Sequence, residues 1–140
     1  MKAVSMIFSI LLISSFSPAQ AQTAQITINN IDENKSISGR VTGLDKNTLR
    51  GFRVIAYVHT DMWYIHPYAG QGEGKTWASI QDNGTWSLET VHRPFSANEI
   101  AALVVGQDYK FPDRTEAIGS VKNSGIVIKR LTGTPDFGKL

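Results

Sequence analysis

The densest run of rings in the chain lies between Trp63 and Tyr68, where Trp63, Tyr64, His66 and Tyr68 fall within six residues, with Trp77 and Trp86 further on. Flat rings on a β surface stack against the apolar faces of sugar rings, and their O–H and N–H groups hold hydroxyls. Strand alternation puts Trp63 and Ile65 on one face and Tyr64, His66 and Tyr68 on the other. Trp63 and Trp86 are expected in the core, as buried Trp is in two-sheet β domains. The segment Gly70-Gln71-Gly72-Glu73-Gly74-Lys75 follows, and its glycines allow the backbone to approach a ligand closely. Binding groups concentrate on such loops. The predicted ligand-binding set is therefore Tyr64, His66, Tyr68, Glu73, Lys75 and Trp77, with Glu73 and Lys75 bonding at the rim and the rings stacking. The competing expectation is that the loop is only a hairpin connection and the tyrosines pack beneath it.

Other motifs fail on context. Ala69 to Thr76 fits a loosely written phosphate-binding loop, but that chemistry needs backbone N–H groups converging at the start of a helix. Here Trp77-Ala78-Ser79-Ile80 reads as a strand, so a flexible Gly-rich connection between strands is expected. His59 and Asp61 share a strand face and His66 comes seven residues after His59, yet no H-x-H pair and no Cys or Met cluster completes a metal site. Ser79, Ser87 and Ser96 lie in no G-x-S-x-G setting, so nothing marks a nucleophile elbow. Asp61 and Glu73 are a conceivable pair for glycoside cleavage, but among 12 acidic residues such a pair carries little weight. The sequons at Asn34 and Asn83 are read as chance, since Asn83 already has a turn role. No catalytic residue, metal or cofactor is expected.

The elements that would position these side chains read as strands almost throughout. Ile26-Thr27-Ile28 opens the series and Asn29-Asn30 closes that run. Ile37 to Leu44 alternates with a two-residue period. After the polar loop Asp45 to Gly51, Phe52 to Asp61 places Phe52, Val54, Ala56 and Val58 on one face, opposite Arg53, Ile55, Tyr57, His59 and Asp61. Trp63 to Ala69 is a short strand in which Pro67 marks an edge or a bulge. Thr76 to Gln81 and Gly84 to Arg93 flank a hairpin signal at Asn83-Gly84, both residues that accept positive φ. Ile100 to Val105 has the length of a strand, although Ser96 to Glu99 has the makings of a capped helical turn. Asp113 to Val121 is ambiguous. Ser124 to Leu131 alternates again and stops at Gly133-Thr134-Pro135. Seven or eight strands at this spacing predict a single all-β domain, an antiparallel β-sandwich. Its expected core is Val41, Val54, Ala56, Val58, Trp86, Leu88, Leu103 and Val105.

The N-terminus predicts export. Lys2 precedes the apolar stretch Met6 to Ile13, Ser17-Pro18 breaks it, and Ala19-Gln20-Ala21 is a small-x-small cleavage site. The apolar core is well short of the ~20 residues that span a bilayer. Residues 1–21 are thus read as a bacterial-type signal peptide and 22–140 as the β domain, periplasmic or secreted, with no stable membrane insertion after cleavage. Of the 14 Lys and Arg, Lys2 leaves with the leader, so 13 basic side chains face 12 acidic ones. A balance of about +1 gives no electrostatic case for nucleic acid. The chain has no cysteine, in keeping with a domain large enough to do without disulfides.

One set of residues resembles a known class. Tyr57-x-x-Thr60-Asp61-x-Trp63-Tyr64-x-x-Pro67, then Ile80-x-x-Asn83-Gly84-Thr85-Trp86, then Ala101-Ala102-Leu103-Val104 resembles a small immunoglobulin-like sandwich domain of exported bacterial proteins, often found beside polysaccharide-active modules. The resemblance covers about Ile37 to Pro112 and is interrupted by Gly70 to Lys75. It implies a non-catalytic recognition module whose partner is a glycan. The alternative is a structural or protein-interaction component of the cell envelope, with an envelope protein as partner. Oligomeric state is not legible.

Overall fold

The computed structural model describes residues 23–32, 35–91 and 96–131. The leader, Asn34 of the first sequon, Arg93 and the stop at Gly133-Thr134-Pro135 lie outside the described residues. Among the described residues nine strands run in order: β1 (Gln25–Asp32), β2 (Ser36–Thr42), β3 (Phe52–His59), β4 (Trp63–Ile65), β5 (Trp77–Ser79), β6 (Thr85–Glu89), β7 (Glu99–Gly106), β8 (Arg114–Thr115) and β9 (Gly125–Arg130). They form a three-stranded sheet, β1-β2-β6, and a six-stranded sheet, β8-β4-β3-β7-β9, with β5 also beside β3. Every strand pairing is antiparallel. The all-β, antiparallel expectation therefore holds, with the ambiguous stretch after Asp113 supplying β8 and a 3₁₀ turn at Ile118–Ser120.

Several boundaries differ from the sequence reading for local reasons. Asn29-Asn30 does not end β1; the register shifts between Ile28 and Asn30, and the strand continues past the irregularity to Asp32. The polar loop after Leu44 contains a short helix α1 (Lys46–Leu49), whose N-cap Asp45 accepts the Thr48 N–H at 2.8 Å. Ser96 to Glu99 forms no helical turn, because Asn98 N–H bonds His59 O and Asn98 O accepts Leu131 N–H, which draws the chain into the sheet. At Asn83-Gly84 only Gly84 has positive φ, at 84°. Gly84 N–H bonds Gln81 O and Gln81 N–H bonds Thr85 O. That pattern is a type I turn closed by a glycine, the three-residue hairpin, rather than a turn with two left-handed residues. Asn83 does not take positive φ and uses its side chain, which accepts from Thr85 N–H and Oγ1–H.

The central strands β3 and β7 of the six-stranded sheet are buried on both faces, which explains their near-continuous apolar runs. One cluster takes Val54, Ala56 and Val58 from β3 and Ile100, Ala102 and Val104 from β7, and joins them to Ile26, Ile28, Ile37, Val41, Trp86 and Leu88 of the other sheet. The second takes Ile55, Tyr57, Ala101, Leu103 and Val105, with Trp63, Ile65 and Val121. All eight expected core residues are buried, but Leu103 and Val105 belong to the second cluster. The Ile55-Tyr57 face, read as the one opposite the core, is itself closed. Tyr109, Phe111 and Ile118, from the connection after β7, pack against it. Tyr57 donates to Pro112 O at 2.7 Å, and burial, the largest cause, raises its pKa well above the usual phenol value. On the first face Gly39 lies opposite Trp86, and a Cβ at Gly39 would sit 1.8 Å from Thr27 O. The β1 backbone therefore leaves room only for glycine at position 39.

Candidate functional site

The aromatic tract is positioned by its register on β3. Val58 pairs with Tyr64 and Ile55 with Trp77. Positions 55 and 58 differ by an odd number, so the two rings lie on opposite faces of the sheet. This one fact divides the predicted site.

On the Tyr64 side the chain turns through Thr60–Met62, leaving Asp61 exposed at the tip. Asp61 accepts the Thr60 hydroxyl at 2.9 Å and the Tyr64 hydroxyl at 3.0 and 3.3 Å. These donors, Thr60 first and Tyr64 next, hold the Asp61 carboxyl below its ordinary value. Reciprocally, the bond to Asp61 raises the Tyr64 phenol. Beyond Ile65 the backbone is secured by His66 N–H to Ala56 O. A cleft of about 420 Å³ opens here, lined by Val58, Thr60, Asp61, Tyr64, Ile65, His66, Pro67 and Ala69. Tyr64 is half-exposed at its edge. His66 is only 1% exposed, and its Nε2 lies 2.7 Å from Thr90 Oγ1. The expectation of an open Tyr64, His66, Tyr68 face is corrected at His66, because the strand ends at Ile65 and strict alternation ends with it.

Tyr68 is half-buried, with Lys75 Nζ 5.8 Å from the ring centre, so these two predicted residues meet each other. The loop between them is tied down rather than a free connection. Lys75, Thr76 and Trp77 N–H groups converge on Gly72 O, Gln71 N–H bonds Thr76 Oγ1, and Glu89 N–H bonds Gly74 O. Three amides spent on one carbonyl are amides not offered to a phosphate, and β5 rather than a helix follows. Gly70, Gly72 and Gly74 all have positive φ, which is why the loop needs glycine at each.

Glu73 is exposed and accepts the Ser79 hydroxyl. It lines a different groove, of about 430 Å³, together with Asn29, Ser38, Gln81, Trp86 and Ser87. Asp61 and Glu73 thus sit in separate depressions, not as facing carboxylates. Trp77 is half-buried against the second cluster, with the Arg53 guanidinium 5.0 Å from its ring and 5.2 Å from that of Phe111. Arg53 also donates to Tyr109 O, and burial, the largest cause, lowers its pKa. Trp77 thus packs against the second cluster, on the face of the sheet opposite Tyr64. The histidines do not converge either. His59 Nδ1 lies 2.8 Å from Asn98 Oδ1, its ring is tilted 4.9 Å from that of Trp63, and no group of three potential metal ligands assembles among the described residues.

Sequence reasoning missed Thr60 and Asp61 as partners of Tyr64. The signal was available in Thr60-Asp61-x-x-Tyr64, a turn acid three residues before an aromatic hydroxyl. The chain matches no family model, and neither a curated protein nor a solved structure matches it.

Proposed function

We propose that this chain is an exported, non-catalytic recognition module, an immunoglobulin-like β-sandwich that takes a glycan in the cleft beside Tyr64. The sandwich reading is supported by the first hydrophobic cluster, which draws on both sheets. Export, to the periplasm or the exterior, rests on the N-terminal leader pattern. The observation that carries the function is the Thr60-Asp61-Tyr64 group on the rim of an otherwise largely apolar cleft. An ionised carboxylate held by two hydroxyls is an acceptor for sugar O–H groups, and the tyrosine ring beside it is a stacking surface. The cleft volume is within the ~300–1,000 Å³ of small-ligand sites. A non-catalytic role is supported by the histidines, since His59 faces an amide and His66 a threonine hydroxyl.

Retention on a panel of insoluble polysaccharides tests this. The wild-type protein is retained by at least one, and Tyr64→Ala loses that retention while its melting temperature stays within about 4 °C, as expected for a surface change of about 0.5 kcal/mol. Failure of the wild type on every polysaccharide contradicts the reading.

A second reading, a protein-interaction component of the envelope, is favoured by one observation. Ile126 and Ile128, 40% and 47% exposed, share a face of the edge strand β9. Exposed apolar edge strands recruit other chains.

A further inference from the structure

The edge of a sheet displays backbone N–H and C=O groups that can pair with another chain, and folded proteins blunt such edges. Here β8 is only two residues long, and β1 carries a register irregularity between Ile28 and Asn30. β6 is tied to the Gly-rich loop by Glu89 N–H on Gly74 O. β9 is different. It is the last strand of the six-stranded sheet, and it pairs with β7 in one unbroken register from Gly125 to Arg130.

That register fixes which groups β9 presents. Leu131 N–H donates to Asn98 O, so alternate positions turn their backbone groups towards β7, and Ile126, Ile128 and Arg130 turn theirs outward. Ile126 stands opposite Leu103 and Ile128 opposite Ala101, which puts both side chains at the margin of the second-cluster face. They are the large apolar side chains left exposed among the described residues. Lys129 and Arg130, both exposed, follow directly. The outward edge thus offers a backbone ladder, two apolar contacts and a cationic end.

Two occupants suit an edge of this kind: a second copy paired β9 to β9, or an extended segment of another protein. Charge decides against the copy. Self-pairing would bring two Lys129-Arg130 pairs onto one short ribbon, and no acidic residue in β9 offsets them. On the neighbouring strand Glu99 stands opposite Arg130, whereas Lys129 stands opposite Ile100, so a cation is left in excess at each copy. Area decides the same way, because six paired residues fall well short of the about 800 Å² per partner that a stable interface buries. A short segment needs less, since main-chain hydrogen bonds supply most of its affinity.

We propose that β9 takes an extended acidic peptide segment of a partner protein by strand addition. The segment's backbone pairs with Ile126, Ile128 and Arg130, its alternate apolar side chains lie against Ile126 and Ile128, and its carboxylates meet Lys129 and Arg130. This rests on the protein-interaction reading of the chain and gives the partner its chemistry.

The test is an amide shift titration of the full ¹⁵N-labelled chain with two end-blocked peptides, Asp-Glu-Val-Thr-Val-Thr and its counterpart with Lys-Lys in place of Asp-Glu. The acidic peptide should give saturable shifts at the Ile126, Ile128 and Arg130 amides, larger than at Val127 and Lys129, whose N–H groups face β7. The basic counterpart should bind roughly tenfold more weakly, as like charges at an interface discriminate. Ile128→Pro removes one outward N–H, leaves the bonds to β7 in place and should abolish binding, since proline is tolerated at just such edge positions. Lys129→Glu combined with Arg130→Glu should reverse the preference between the peptides, which tests the charge rule without the proline variant. Equal binding of both peptides, lost in Ile128→Pro, would keep β9 as an interaction edge but overturn the acidic partner. No shift with either peptide would overturn strand addition, and with it the protein-interaction reading at this edge. A dimer of the free protein that Ile128→Pro dissolves would assign the edge to a second copy and overturn the proposal. So would Ile126 and Ile128 amides that exchange as slowly as Val127 and Lys129 in the free monomer, because the chain itself would then cover the edge.

Discussion

Asp61 and Tyr64 show how one hydrogen bond sets the character of a site. The Thr60 and Tyr64 hydroxyls favour the ionised form of Asp61, so its folded pKa lies below the ordinary carboxyl value. The sign follows directly. A depressed carboxyl contributes stability that is present above its unfolded pKa and is lost as pH falls through the folded value. Tyr64→Phe removes one of the two hydroxyl donors, so the Asp61 pKa rises towards its ordinary value. A ¹³C carboxyl titration reads this, and an unchanged Asp61 midpoint in Tyr64→Phe would mean the bond does not form in solution. Trp86 provides the residue-scale test of packing. It is buried in the first cluster, and Trp86→Ala should destabilise by about 3–5 kcal/mol in denaturant unfolding, the range for truncating a large buried aromatic. A midpoint equal to wild type would remove Trp86 from the core.

Among the elements, the β5–β6 hairpin and β3 show what sequence can and cannot convey. The hairpin's place was legible from Asn83-Gly84, but its geometry was not, because the dipeptide is compatible with more than one turn. Gly84 alone adopts positive φ, and a Cβ there would lie 2.3 Å from Val41 O. Gly84→Ala therefore combines backbone strain with a clash, and should cost well over about 1 kcal/mol, more than Gly→Ala at an unstrained site. Differential scanning calorimetry measures it. A neutral effect would mean the turn relaxes to another type. For β3 the two-residue period was plain, yet alternation names two faces without saying that both are covered. What covers Ile55 and Tyr57 is the irregular connection carrying Tyr109 and Phe111, and irregular segments leave no periodic trace. The candidate site was partly legible for the same reason. Tyr64 keeps the partial exposure that its place on a strand predicts, His66 is buried because the strand ends one residue earlier, and the face of Trp77 follows from a pairing with Ile55 that no local pattern specifies.

At the scale of the molecule, the six-stranded sheet is a central layer with an apolar cluster on each side, one shared with the three-stranded sheet and one beneath the Tyr109–Val121 connection. The aromatic tract straddles this layer. Trp63 and Trp77 help close the second face, while Tyr64 with Asp61 edges the cleft. A single continuous binding face from Tyr64 to Trp77 is thus replaced by two depressions and a packed ring. The measurement that tests this division most directly is a backbone amide shift map of ¹⁵N-labelled protein titrated with a soluble fragment of a retained polysaccharide. The account predicts saturable shifts at Thr60, Asp61, Tyr64 and His66, and none above background at Trp77, Tyr109 or Val121. Shifts confined to Trp77 and the Tyr109–Val121 connection, with the Thr60–Tyr64 amides unmoved, would contradict it.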